Sequence, residues 1–235
     1  MVKVTNLLKK YPNRFELNVP FWEISCGEIL GLVGNNGAGK TTFFRAILDL
    51  IPLNEGSIRL NGNIVNKDES WKMITGSYLD DSFVIDFLTP EEYFHFVGSL
   101  YEMSKNKVSE VLEKYGELFN FEILEKKNKL IREMSSGNIQ KIGIVAAMMI
   151  EPKVLILDEP FANLDPTSQF YLIELLRELK EKKKTTILIS SHNLNHVTEI
   201  CTRICVLEKG KIVKDVQTSD KTLKDLQQYF SPVGK

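Results

Sequence analysis

The chain has 235 residues, 43% hydrophobic and 26% charged, with a formal charge of −1. That is an ordinary balance for a globular protein of one large or two small domains, and it provides no net basic field to draw the chain onto nucleic acid or an anionic membrane. The three cysteines, Cys26, Cys201 and Cys205, are too few and too scattered for a disulfide framework or a recognised zinc pattern, so a reducing cytoplasm is the expected setting.

The lysine clusters KKNK (126–129) and KEKKK (180–184) read as solvated faces. The N-terminal MVKVTNLLKKY has no signal h-region, and the longest apolar run, IGIVAAMMI, has nine residues against the roughly 18 a membrane helix needs. The chain is therefore expected to span nothing by itself. Repeats, low-complexity tracts and a Gly/Ser linker are missing, so any second domain is expected as an insertion.

In chain order, GEILGLVG (27–34) reads as a buried strand, and GKTTFFRAILDLI (39–51) as a helix with Phe44, Ile47, Leu48 and Ile51 on one face. SIRLNG (57–62) and MITGSYL (73–79) are short strands. TPEEYFHFVGSLYEM (89–103) is a helix with Thr89 as cap, Pro90 at its first position and acids in its first turn. The lysine-rich region 104–133 suggests two further helical pieces, and SSGNIQK (135–141) opens a longer helix. VLILD (154–158) and TTILIS (185–190) are strands apolar on both faces, separated by the helix PTSQFYLIELLRELKEKK (166–183). RICVLEKGKIVKD (203–215) is a hairpin about Lys209-Gly210, and the last twenty or so residues are a short helix with a frayed end. Apolar strands alternating with helices predict a parallel sheet covered on both faces.

Chemistry concentrates at GNNGAGKT, residues 34–41, which fits G-x-x-x-x-G-K-[ST] between a strand and a helix. Gly34, Gly37 and Gly39 let successive N–H groups turn inward, and the helix N-terminus adds positive potential for phosphate. Lys40 then reaches the β- and γ-phosphates, and Thr41 offers its hydroxyl to Mg²⁺. The competing reading is a glycine-rich turn that binds nothing. At the end of VLILDEP, Asp158 is placed to hold Mg²⁺, and Glu159 to orient or deprotonate the water attacking the γ-phosphate. His192 follows another strand of the same sheet, either as a surface histidine or as a neutral imidazole contacting the γ-phosphate.

The order of GNNGAGKTT (34–42), MSSGNIQK (134–141), VLILDEP (154–160), NLD (163–165) and His192 resembles the nucleotide-binding subunit of an ATP-binding cassette (ABC) transporter, over nearly the whole chain. The resemblance implies an α/β P-loop NTPase (RecA-like) fold: a parallel sheet core with N-terminal antiparallel strands and an inserted α-helical subdomain. Its expected parts are residues 1–81 (core with the phosphate loop), 82–150 (helical subdomain with the signature), 151–218 (second part of the core) and 219–235 (C-terminal helix and tail). It implies that Gly34, Asn35, Asn36, Gly37, Ala38, Gly39, Lys40, Thr41 and Thr42 wrap the phosphates of ATP. Tyr11 matches the aromatic that stacks on adenine, beside its reading as a surface tyrosine next to Pro12. Asp81, or Asp80, stands where the family has a glutamine sensing Mg²⁺ and water.

Met134, Ser135, Ser136, Gly137 and Asn138 match the family's leucine-serine-glycine-glycine-glutamine signature, with Gln140 and Lys141 continuing it. There Ser135 and Gly137 would contact ATP bound to a second copy, and Asp165 would cross the dimer interface. Ser136 and Asn138 depart from the pattern. DEPFANLDPTS resembles cassettes that serve separate membrane subunits of exporter type, which implies a cytoplasmic ATPase held peripherally at the inner face of the cell membrane, with no nucleic-acid partner. A soluble ABC-type ATPase of a non-membrane assembly is the alternative. The aromatics of residues 83–101 are read either as a docking groove for the membrane subunit or as core.

Overall fold

The computed structural model describes residues 1–12, 15–120, 123–124 and 129–231. Positions 126–128 of the KKNK cluster and the last four residues of the tail lie outside them. The chain divides into two compact units, Met1–Trp71 with Thr186–Lys235, and Lys72–Thr185.

The first unit starts with β1 (Val2–Lys10), β2 (Glu16–Ile24), β3 (Ile29–Val33), α1 (Lys40–Ile47), β4 (Glu55–Leu60) and β5 (Asn63–Ile64). The second unit holds β6 (Thr75–Tyr78), α2 (Pro90–Leu100), α3 (Lys105–Glu113), α4 (Ser136–Met148), β7 (Val154–Asp158) and α5 (Pro166–Lys183). The chain then returns to the first unit with β8 (Thr186–Ser191), α6 (Leu194–Ile200), β9 (Arg203–Glu208), β10 (Lys211–Gln217) and α7 (Thr222–Phe230).

In the first unit β1 lies antiparallel between β2 and β4, giving the order β2-β1-β4-β5. Alternation explains this sheet: Val2 and Val4 of β1, and Leu17, Val19, Trp22 and Ile24 of β2, are buried while intervening residues face outward. β3 is buried at every position and runs parallel to β8 on one edge and β9 on the other. Such a strand reads as a continuous apolar run because both of its faces are covered. β10 folds back on β9 through Lys209 (φ 46°) and Gly210 (φ 76°), the two left-handed residues that a tight hairpin requires.

Trp22 ties several elements of this unit together. Its ring lies 5.2 Å from that of Phe43 in α1, and its Nε1 donates to Cys205 Sγ of β9 at 3.4 Å. Arg203 makes a polar counterpart: its guanidinium forks onto Asp215 of β10 with two 2.6 Å bonds and donates to the Glu23 carbonyl of β2 at 2.9 Å. A planar fork suits this arrangement and a lysine does not.

In the second unit β6 and β7 pair in parallel, from Thr75 opposite Val154 to Tyr78 opposite Leu157. The predicted start of α2 is present as a capping box, with Thr89 Oγ1 accepting from Glu92 N at 3.3 Å and Glu92 Oε2 accepting from Thr89 N at 2.9 Å. Of the two helical pieces expected in 104–133, the described residues form α3 and a 3₁₀ turn at Ile131–Glu133. Asn120 takes φ 51°, which an extending right-handed helix does not accommodate. The sequence pattern also passed over α6, a seven-residue helix capped by Asn193.

Arg203→Lys is expected to keep the charge but lose the paired bonds, lowering unfolding free energy by about 1.5–3 kcal/mol. Chemical denaturation with an unchanged denaturant slope checks this.

Candidate functional site

Each unit carries some of the residues singled out from the sequence. In the first, β3 ends at Val33, whose register partners are Ser191 of β8 and Val206 of β9. Gly34 and His192 therefore leave neighbouring parallel strands at the same edge, the edge at which open α/β sheets place ligands. The loop packs on the β9–β10 hairpin: Gly210 N donates to Ala38 O at 2.8 Å, and the Leu207 carbonyl occupies the space a Cβ on Gly34 would fill.

Gly39, at φ 108°, is the left-handed N-cap of α1, and no side chain caps this helix. Its first-turn N–H groups and positive end are thus suited to an anion. Lys40 is 7% exposed and its Nζ donates to the Gly34 carbonyl at 2.8 Å, folding the side chain back over the loop. Asn35, Asn36 and Gly37 are exposed, and Thr41 and Thr42 are half-buried. A buried ammonium, an uncapped helix start and an open loop form a donor set that fits a polyphosphate.

Tyr11 is half-buried. Its ring lies 6.1 Å from Phe15 and 5.2 Å from Lys9 Nζ. Phe15 is the side chain that reaches the loop, since a Cβ on Gly39 would stand 2.7 Å from its Cζ. The sequence reading missed Phe15, because the contact joins positions 24 apart and no local pattern marks it.

In the second unit β7 delivers Asp158, 6% exposed, and then Glu159, half-buried and at φ 48°. Hard carboxylate and hydroxyl oxygens such as those of Asp158 and Thr41 suit Mg²⁺. Residues 159–165 form a loop that ends at Asp165, the cap of α5. The Asp165 carboxylate accepts from Ser168 N at 3.0 Å and from Ser168 Oγ at 2.5 Å, and lies 3.3 Å from the buried Lys141 Nζ. These hydrogen bonds, followed by the lysine charge, pull the Asp165 carboxyl down to about 2.

The signature segment begins α4. Ser135 is its N-cap and accepts from Asn138 N at 3.4 Å. Gly137 lies against the loop, where a Cβ would be 2.6 Å from Asn163 O. Gln140 and Lys141, which the sequence shows only as a continuation of the signature, are each 3% exposed. Of the two acids after β6, Asp80 accepts from Ser82 N at 2.9 Å and caps a 3₁₀ turn. Asp81 accepts a short bond from the Tyr78 hydroxyl. Burial and then that bond raise the Tyr78 phenol far above its usual range.

A family model described as ABC transporter matches residues 17–162, more than half of the chain. The chain belongs to the ABC transporter family. Its fold is the P-loop NTPase fold of that family's ATP-binding cassettes. A solved structure described as the ATP binding subunit of an ABC transporter superposes with a TM-score of 0.82 at 26% identity, covering 98% of this chain and 93% of its own. The uncharacterized ATP-binding protein YhaQ of Bacillus subtilis is 39% identical over 186 residues, 79% of this chain and 61% of YhaQ. The methionine import ATP-binding protein MetN of Carboxydothermus hydrogenoformans is 32% identical, covering 94% of this chain and 67% of MetN. The bacitracin transport ATP-binding protein BcrA of Enterococcus faecalis is 33% identical, covering 94% and 70%. The cassette thus spans less than two thirds of the length of YhaQ. Among its described residues no helix is long and apolar enough to cross a membrane.

The lowered pKa of Asp165 stabilises the fold above the unfolded value of about 3.9 and ceases to do so as pH falls toward about 2. Wild type is therefore expected to melt above Asp165→Asn at pH 7, with the gap closing between about pH 4 and pH 2. Paired thermal melts across that range check the sign.

Proposed function

We propose that this cassette hydrolyses Mg²⁺-ATP as one half of a head-to-tail dimer and powers export through a separate integral membrane subunit. The observation that carries the reading is the uncapped start of α1 beneath GNNGAGKT, with Lys40 buried over the loop. Lys40 and the N–H groups from Gly34 to Thr42 bind the phosphates, with Asn35, Asn36, Gly37 and Ala38 shaping the loop, and Tyr11 stacks on adenine. Thr41 and Asp158 hold Mg²⁺, which when bound neutralises phosphate charge. Glu159 takes the proton of the attacking water, and His192 donates to the γ-phosphate. Asp81 orients water beside that group.

Ser135 and Gly137 of one copy complete the site of the other, and Asp165 helps to seat the two copies together. ATP binds the closed pair better than ADP does, and that difference in affinity is the bias available for work on a membrane partner. The domain plan of residues 1–81, 82–150, 151–218 and 219–235 assigns the membrane contact to the helical insertion. There Phe83, Phe87, Phe96 and Leu100 are each more than 40% exposed, an apolar surface suited to a partner helix. Export rests on the resemblance of DEPFANLDPTS. MetN is named for import and BcrA for transport of bacitracin, so kinship leaves direction open. The proposed location is cytoplasmic, at the membrane's inner face through the partner.

Glu159→Gln is expected to lower ATP turnover by at least about 100-fold while trapping an ATP-dependent dimer visible by light scattering. Retained turnover would remove Glu159 from the base role. Affinity purification from solubilised membranes is expected to recover an integral membrane protein, whose yield falls on Phe87→Ser. Recovery of soluble partners alone would overturn the transport reading in favour of a cytoplasmic assembly ATPase.

A further inference from the structure

The loop after β7 runs through two left-handed residues, Glu159 at φ 48° and Asn163 at φ 56°, a conformation that non-glycine side chains disfavour. Two carboxamides hold it there. Gln140 of α4 donates from Nε2 to the carbonyls of Pro160 at 2.7 Å and Glu159 at 3.3 Å, and its Oε1 accepts from Asn163 Nδ2 at 3.4 Å. Gln169 of α5 donates to the carbonyls of Phe161 at 3.0 Å and Leu164 at 3.2 Å. The next residue of α4, Lys141, reaches Asp165 at the far end of the same loop. Gly137 touches the loop through its backbone. The helix that presents Ser135 and Gly137 therefore also grips the peptide carrying Glu159.

We propose that Gln140 is a positioning residue for Glu159: its amide fixes the Glu159–Pro160 peptide, so the aim of the Glu159 carboxylate follows the placement of the signature turn. The inference rests on the reading of Glu159 as general base. A bound phosphate at Ser135 and Gly137 acts on the same rigid helix, so the signature segment of each copy bears on the catalytic acid of its own chain as well as on the partner's nucleotide. Gln169 donates instead to the Phe161 and Leu164 carbonyls in the middle of the loop, which gives the two amides separate duties.

The test uses the full chain with ATP and Mg²⁺. Gln140→Met keeps the length and removes both donors, and Gln140→Glu keeps the shape while turning a carboxylate toward two carbonyls. Both are expected to lower kcat by about 10- to 100-fold with the KM for ATP within about twofold. In a Glu159→Gln background, Gln140→Met is expected to cause no further fall in the residual rate, because the residue acts through Glu159. An unchanged kcat in a folded variant, a loss confined to KM, or an additive loss in that background overturns the inference while leaving the base reading intact. If wild type and Glu159→Gln hydrolyse ATP equally, or neither does, the base reading fails and the inference fails with it. Should Gln140→Met not fold, Gln140→Glu carries the comparison, and unfolding of both assigns Gln140 to stability alone.

Discussion

The parallel pairing of β3 with β8 and β9 is the constraint on which the first unit depends. With both edges of a five-residue strand occupied and both faces buried, a slip of one residue would exchange its two faces and move the whole phosphate loop. Register alone thus sets where Gly34 leaves the sheet, and it brings the His192 segment and the Leu207–Gly210 turn to the same edge. The turn then braces the loop from beneath through the bond from Gly210 to Ala38. Trp22 and Arg203 serve the same end from further away. One anchors α1 by an aromatic contact and β9 by a hydrogen bond, and the other pins the hairpin that supports the loop.

The second unit solves a different problem, which is holding an acid in a conformation its backbone resists. Left-handed geometry costs on the order of 1–2 kcal/mol at Glu159 and less at Asn163, since asparagine tolerates it better than most side chains, about 1–3 kcal/mol together. The four carboxamide donations from Gln140 and Gln169 are worth about 0.5–1.5 kcal/mol each, about 2–6 kcal/mol in sum. The two quantities are comparable, so the loop stays in place because the helices hold it, and its geometry answers to theirs. Lys141 adds to this. A buried ammonium needs a partner, and Asp165 provides one at the point where the loop becomes α5.

Much of this was legible in the amino-acid order. GEILGLVG, VLILD and TTILIS announced buried strands because a strand covered on both faces reads as a near-continuous apolar run. Thr89-Pro90 announced the start of α2, since its cap chemistry is entirely local, and α5 spans Pro166–Lys183 as its periodicity predicts. The phosphate loop was legible because its glycines and lysine are contiguous. What escaped depends on distance along the chain: Phe15 against Gly39, and Gln140 against a loop twenty residues away. A polar side chain on an otherwise apolar helix face carries no mark of whether it is solvated or holds a buried carbonyl. In the region 104–133 lysines and glutamates favour helix, and Asn120 at φ 51° interrupts one among the described residues.

The helices that follow the two glycine-bearing motifs are capped differently from α2 and α5. α2 begins with a reciprocal Thr89–Glu92 box, and α5 begins with the carboxylate of Asp165. Both ends place negative charge where a phosphate would sit, satisfying the helix dipole internally and repelling an incoming anion. α1 has no side-chain cap, and α4 has a neutral serine whose bond to Asn138 N is long at 3.4 Å, near the limit of a useful hydrogen bond. These two helices follow the two glycine-bearing motifs, and they keep first-turn donors suited to an external acceptor. At α1 that acceptor competes with the Gly34 carbonyl for Lys40. A phosphate oxyanion forms the stronger, charge-assisted bond to an ammonium, so exchange of partner is favourable even though Lys40 is already hydrogen-bonded. The loop is thereby stable when empty and still has free energy to gain when filled, which is the condition a reversible phosphate site must meet.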